Sequence, residues 1–345
     1  MRTTIPRFFL ALSLLIPASA FALPYSALYI FGDSLSDSGN VAAITSPVQP
    51  GPSTAYTQGR FTNEFNYADG LAAQLGLSAT PSLLGGTNFA FGGARTSTHP
   101  DLGAGTSVLG QVSTFIGQPG SADANALYVV LGGANNVRDA IVTFDPTNPT
   151  AAANIVNNAA NDITLAINAL YNEGARHFLV GNSPNLARVP AINGLNNPLL
   201  SGLATSLSVL FNTTLSNNLD GLMITDLGID IRQLDIFAIL ENVIINSAAY
   251  GFTNPTGQCY TGDDQNYTTP ASTAAALTCS DPSSYVFWDY IHPTSATHSI
   301  LVTRAFAAVP EPATLALLLA GCIALLTRKK LYKNRSTPLP IAMLN

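Results

Sequence analysis

Ala27-Leu28-Tyr29-Ile30-Phe31-Gly32-Asp33-Ser34 is the stretch whose reading decides the fold. A short apolar run that stops at a glycine reads as a strand buried on both faces. Three more runs read the same way: residues 127–131 (LYVVL) before Gly132-Gly133, 177–180 (HFLV) before Gly181, and 222–225 (LMIT). Helical patterns lie between them, at 66–77, 151–173, 200–219 and 231–243. In the longest, Ile155, Ile163, Leu165, Ile167 and Leu170 are apolar near helical spacing, and Gly174 closes it. Buried strands alternating with helices predict βαβ units, hence an α/β fold with a parallel central sheet and right-handed connections. Sites in such sheets form at the carboxyl ends of the strands. Residues 41–60 and 254–284 carry no periodic pattern and read as loops. The first follows the opening strand closely, so it can wall a site.

Both ends of the 345-residue chain read as processing signals. Arg2 and Arg7, an apolar run over 8–16 and the small residues Ala18-Ser19-Ala20 follow the order of a secretory signal peptide, assigned to residues 1–22. The run is shorter than the roughly 20 residues a membrane span needs. At the other end, Val309-Pro310-Glu311-Pro312 precedes an uncharged stretch, 313–327, and then Arg328-Lys329-Lys330. The basic cluster would stay on the cytoplasmic side. This unit, residues 309–330, resembles a PEP-CTERM sorting signal of biofilm-forming Gram-negative bacteria. The resemblance implies an exosortase-like processing protease, transient membrane contact, and delivery to the cell surface or matrix. The tail 331–345 departs from that pattern. Residues 23–308 remain for the folded domain, enough for a substantial core.

Charged residues make up only 10% of the chain, below the ~25% usual in soluble domains. Asn, Ser, Thr and Gln must therefore supply much of the polar surface. Net charge is −6, with no basic block between the two signals, which argues against a nucleic-acid partner. Of three cysteines, Cys322 lies in the C-terminal apolar segment, while Cys259 and Cys279 flank a polar loop. In an exported chain those two can pair as a disulfide. No Cys–His cluster has zinc spacing, and no metal or cofactor is expected.

Two segments carry unusual residues. After the first strand comes Gly32-Asp33-Ser34-Leu35-Ser36-Asp37-Ser38-Gly39-Asn40. A serine there can stand exposed at a helix N-terminus, although Ser and Asp in such places are more often plain caps. The second signal is the scarcity of histidine. His177 opens a predicted strand, His99 lies in a loop and reads as solvated, and His298 falls in a predicted terminal helix and reads as a surface residue. His292, in Trp288-Asp289-Tyr290-Ile291-His292-Pro293-Thr294, has a carboxylate three residues before it that can turn back and orient the ring. Pro293 can open the helix that follows.

GDSLSDSGN resembles the first block of the GDSL, or SGNH, hydrolase family, whose nucleophilic serine corresponds to Ser34. Asn88-Phe89-Ala90-Phe91-Gly92-Gly93-Ala94 is similar to the second block, where a glycine N–H joins the oxyanion hole. Gly93 matches that position best and Gly92 is its near alternative. Gly132-Gly133-Ala134-Asn135-Asn136 resembles the third block, placing Asn135 as a side-chain donor to the oxyanion; the family often has Asp where this chain has Asn136. Asp-Tyr-Ile-His-Pro-Thr, from Asp289, resembles the last block, with Asp289 and His292 completing the triad. The resemblance spans the chain from first strand to last helix and implies a three-layer α/β/α, flavodoxin-like domain. It implies an esterase or lipase acting on an acyl ester, a lipid or an acylated polysaccharide. The other reading is a non-catalytic surface or matrix binding protein on the same fold.

Overall fold

Four parallel strands, β1 (Leu28–Gly32), β2 (Leu127–Leu131), β3 (His177–Gly181) and β4 (Asp230–Leu234), lie side by side in that order. In this computed structural model the described residues are 25–309, except 46–47, 121, 227 and 264–268. The expected signal at 1–22, the sorting segment from Pro310 onward with Cys322, and the tail at 331–345 lie outside them. A second, two-stranded parallel sheet joins β5 (Asn254–Gln258) to β6 (Tyr285–Phe287). The helices are α1 (Asn40–Ile44), α2 (Tyr67–Gln74), α3 (Val108–Ile116), α4 (Ala134–Val142), α5 (Pro149–Asn172), α6 (Pro190–Asn193), α7 (Pro198–Thr225), α8 (Ile236–Ile245), α9 (Ala271–Ala276) and α10 (Ser295–Ala308).

Alternation along the strands builds two cores. Phe31, Tyr128, Val130, Phe178, Val180 and Ile231 face α3, α4, α5 and α7. Leu28, Ile30, Leu127, Val129, Leu131, Leu179 and Leu234 face α2, α8 and α10. A sheet between two helical layers is the three-layer α/β/α architecture. A fifth ribbon, residues 87–91, runs along the free edge of β1: the Ile30 N–H donates to the Thr87 carbonyl, and the Phe89 and Phe91 N–H groups donate to Ile30 and Gly32. Counting that ribbon, the spatial order is the flavodoxin-like one, with its crevice beside β1. The register aligns Gly32, Leu131, Gly181 and Leu234 across the sheet. Loops leaving the strands just beyond these residues therefore emerge along one edge.

Three expectations about elements are corrected. Residues 222–225 are the last turn of α7, not a strand; Leu222 continues the buried Phe211, Leu215, Leu219 stripe while Ile224 is 79% exposed. The fourth strand is instead Asp230–Leu234, too polar to read as buried because it sits at the sheet edge. The helix expected over 231–243 begins only at Ile236, where the Asp235 side chain accepts from the Ala238 N–H as its N-cap. The loops are also partly structured: α1 and a short 3-10 turn, Thr57–Gly59, occupy the two ends of 41–60, and β5 and α9 lie within 254–284. α7 is long and apolar enough to cross a membrane by length and composition. Its Ala204, Leu207, Phe211, Leu215 and Leu219 pack into the core.

His298 is not a surface residue. It is 1% exposed, its ring stacks on Tyr67, and its Nδ1 accepts the Tyr67 N–H at 3.2 Å. Burial, and after it the charge on His292, push its pKa down to about 3 from an ordinary 6.5. In the unfolded chain the ring titrates near its ordinary value, so between those two pH values the unfolded state binds more protons. Stability contributed by the neutral ring is complete above pH 6.5 and is lost as pH falls toward 3. At pH 4.5 the loss is on the order of 2–3 kcal/mol. His298→Gln keeps an acceptor for Tyr67 but cannot titrate. Urea unfolding at pH 7 and pH 4.5 should show a fall in stability smaller by about that amount in the variant; equal falls would remove His298 from the acid response.

Candidate active site

Ser34 lies two residues beyond the end of β1, in a single turn closed by the Asp33 carbonyl, which accepts the Ser36 and Asp37 N–H groups at 3.0 Å each. It does not sit at an α-helix N-terminus, as the sequence suggested. The first helix starts only at Asn40, and the Asp37 carboxylate occupies its end, accepting the N–H groups of Gly39 and Asn40 at 2.7 Å and of Val41 at 3.2 Å. A carboxylate takes such orphan N–H groups better than a hydroxyl does. The end of β1 is also clamped from α3: Gln111 accepts from the Gly32 N–H and donates back to its carbonyl, both at 2.8 Å.

His292 comes to Ser34 from the far end of the chain. Its Nε2 is 2.9 Å from Ser34 Oγ, and its Nδ1 is 2.8 Å from Asp289 Oδ2. Asp289 is an acceptor, so Nδ1 carries the proton and Nε2 is left to accept from the serine hydroxyl. The three-residue spacing works because the chain turns back tightly after β6. Asp289 Oδ1 accepts the Ile291 N–H at 2.9 Å and the His292 N–H at 2.7 Å. Tyr56, from the 41–60 segment, donates its hydroxyl to Oδ2 at 2.8 Å. Asp289 is fully buried, and burial alone would raise its pKa. The charge of His292, the ring hydrogen bond and the two backbone N–H groups outweigh burial and hold the carboxyl below the ordinary carboxylate range. Thr294, not Pro293, starts α10: its side chain accepts the Thr297 N–H as the N-cap.

The other two motif residues arrive at the same edge. Gly133 adopts φ +106°, and a Cβ there would fall 2.2 Å from the Phe211 ring, so glycine alone makes the tight entry into α4 that delivers Asn135. One hydrogen of the Asn135 amide goes to the Ala94 carbonyl at 3.0 Å, which fixes the side chain and leaves the second for a ligand. Asn136 has a different task, accepting the Thr96 N–H at 3.0 Å. Of the two candidate glycines, Gly92 donates its N–H to Asp37 Oδ2 at 2.9 Å. No described residue accepts the N–H of Gly93 or of Ser34. His99, expected in solvent, is 6% exposed and lies against this glycine pair.

Ser34, Asn135 and His292 border two cavities at once. One, of about 40 Å³, is walled by Leu35, Leu186, Val189, Phe287 and Ile291. The other, of about 260 Å³, takes in Gly93, Arg95, Asp101, Arg138 and Tyr290. Asp33, beside the serine, is pushed up to about 6 by burial, against the Leu35 N–H and the charges of His292 and Arg95. Among the described residues no cluster of three or more His, Cys, Asp or Glu could hold a metal ion. Cys259 and Cys279 are joined in a disulfide, with Cα atoms 4.9 Å apart. The bridge belongs to a small core with Tyr56, Tyr260 and Trp288, next to Asp289 in sequence. Tyr56, Asp37 and Gln111 were missed in the sequence. Only Asp37, inside the GDSLSDSGN block, lay in a recognisable signal.

A hydroxyl hydrogen-bonded to an imidazole that a buried carboxylate orients, with unengaged N–H donors around the same cavity, can perform acyl transfer. Comparison with known proteins points the same way. The family profile for GDSL-like lipase/acylhydrolase matches residues 28–305. A GDSL esterase/lipase of Arabidopsis thaliana is 28% identical over 316 residues, covering 80% of this chain and 84% of that protein. The esterase EstA of Pseudomonas aeruginosa is 29% identical over 341 residues, 86% of this chain but only 48% of EstA. A solved lipolytic protein of the G-D-S-L family from Veillonella parvula aligns over 81% of this chain and 96% of its own, at 10% identity and a TM-score of 0.40. The chain belongs to the GDSL-like lipase/acylhydrolase family and is an ester-hydrolysing serine hydrolase.

Proposed function

We propose that this protein is an exported carboxylic-ester hydrolase working through an acyl-enzyme on Ser34. The observation that carries the reading is the continuous hydrogen-bonded chain from Ser34 Oγ through His292 to Asp289. His292 Nε2 takes the hydroxyl proton as Ser34 Oγ attacks the ester carbonyl, and Asp289 supports the imidazolium. The carbonyl oxygen becomes an anion, met by the N–H groups of Ser34 and Gly93 and the Asn135 amide, each donor worth roughly 10²–10³ in rate. Collapse expels the alcohol, which takes the proton from His292. Water, deprotonated by the same ring, then releases the acid and restores Ser34. Ser34→Ala removes one hydroxyl and should lower turnover on p-nitrophenyl esters by roughly 10⁶ without unfolding the chain. Activity near the wild-type level would make another residue the nucleophile.

The two cavities favour one substrate class. The apolar recess is the smaller of the two, about 40 Å³, which suits a short acyl group. The larger chamber, with Arg95, Arg138 and Asp101, suits a polar alcohol, as in an acetylated polysaccharide. Rates on p-nitrophenyl acetate and butyrate should exceed those on octanoate by roughly tenfold or more, since forcing methylenes into a filled recess costs about 1–3 kcal/mol. A rate that rises with chain length would exclude this substrate class and favour a lipid ester.

Export rests on the signal-like residues 1–22 and on the Cys259–Cys279 bridge, which suits an oxidising compartment. The last helix, α10, ends at Ala308, and Pro310 and Pro312 cannot extend it. Residues 313–327 can then enter a membrane independently, held by Arg328-Lys329-Lys330, with residues 309–312 at the outer boundary for an exosortase-like protease. Mature protein from the native host should end near Pro310 by intact mass. Retention of residues 313–345 would replace a sorting signal with a permanent anchor.

A further inference from the structure

The Gly92–Gly93 pair presents four backbone polar groups, and three of them are held by side chains: Asp37, and Arg95 and His99 from the loop that follows. The Gly92 N–H goes to Asp37 Oδ2 at 2.9 Å. The Gly93 carbonyl accepts from Arg95 Nη1 at 2.8 Å, and Arg95 is itself gripped at both ends of its fork by Asp139 at 2.8 and 2.7 Å. The Gly92 carbonyl lies 2.8 Å from His99 Nε2. The fourth group, the Gly93 N–H, has no acceptor among the described residues, and Gly93 lines the chamber it shares with Ser34.

The tautomer of His99 follows from its other nitrogen. Nδ1 receives the N–H groups of Asp101 at 3.3 Å and Leu102 at 3.1 Å, so it must be the acceptor, and the proton sits on Nε2. His99 therefore donates to the Gly92 carbonyl. That carbonyl and the Gly93 N–H belong to one planar peptide unit and point in opposite directions. A donor on the oxygen fixes the plane of the peptide and polarises the N–H on its far side. Burial pushes the ring below the ordinary imidazole range, against the pull of the Gly92 carbonyl and Asp101 and with the help of Arg95, which keeps the neutral donor form in place.

We propose that His99 is a positioning residue of the oxyanion site: by donating to the Gly92 carbonyl it aims and strengthens the Gly93 N–H that meets the transition-state oxygen. This rests on the proposed role of Gly93. It differs from the fold-holding role that any buried histidine in a loop could play, because the effect must appear in the transition state and not in substrate binding.

The test compares His99→Asn and His99→Gln on p-nitrophenyl acetate, with a boronic acid as a probe that forms a tetrahedral adduct. Asn can keep an oxygen where Nδ1 accepts the Asp101 and Leu102 N–H groups but is too short to reach the Gly92 carbonyl. Gln can reach that carbonyl with its amide N–H. Asn should lower kcat by about tenfold with KM within about twofold, and weaken the boronate by a similar factor, while Gln should recover most of both. Circular dichroism of each variant establishes that it is folded. A folded His99→Asn with unchanged kcat, a loss confined to KM, or Gln no better than Asn overturns the proposal. Ser34→Ala in the same assay separates the two ideas: if it stays active the hydrolytic reading fails, and if it is inactive while His99→Asn is undiminished only the role of His99 fails.

Discussion

The site depends on keeping one carboxylate ionised where no water reaches it. Asp289 is fully buried, and an uncompensated charge there would cost several kcal/mol. Four donors offset that cost: the Ile291 and His292 N–H groups, the His292 ring and the Tyr56 hydroxyl. They require the chain to turn back tightly after β6 and the 41–60 segment to reach across to it. Tyr56 in turn is held edge-on to Tyr260 and Trp288 in the small core that the Cys259–Cys279 bridge secures. The two segments that read as loops, 41–60 and 254–284, thus support the buried carboxylate of Asp289.

A second buried carboxylate organises the opposite side of the cavity. Asp37 gathers four backbone N–H groups, three from the start of α1 and one from Gly92. Asn40 and Asn88 extend the network: the Asn40 amide donates to the Asn88 and Ala90 carbonyls, and Asn88 donates to the Ser36 carbonyl and Ser38 hydroxyl. The loop after β1 and the ribbon along its edge are therefore one hydrogen-bonded unit. A shift in either would move both Ser34 and Gly93, so the buried polar side chains of the first motif hold the geometry that the serine uses.

The parallel sheet was legible because its first three strands are buried on both faces and read as unbroken apolar runs. The fourth was not, because an edge strand such as Asp230–Leu234 carries charge and a buried helix end such as 222–225 does not. Ser34, Gly93, Asn135, Asp289 and His292 stood out because each lies in a short local block; the fold sets four of them around adjoining cavities, with Asp289 buried behind His292. Tyr56 and Gln111 act through contacts 233 and 79 residues distant, and His99 through ring nitrogens whose partners are backbone atoms. Composition and spacing hold no trace of such contacts. His99 and His298 were misread for one reason: a polar side chain in a polar stretch gives no sign of burial when its partners are backbone groups.

In the proposed chemistry His292 takes the proton of Ser34, and the neighbouring N–H groups meet a negative oxygen. The most direct measurement is to treat the folded protein with a fluorophosphonate ester, digest it, and locate the phosphonyl group by mass spectrometry. A single adduct on the peptide carrying Ser34, absent from the Asp289→Asn and His292→Ala variants, is the result this account predicts. An adduct on another residue, or labelling of Ser34 that survives loss of His292, would contradict it.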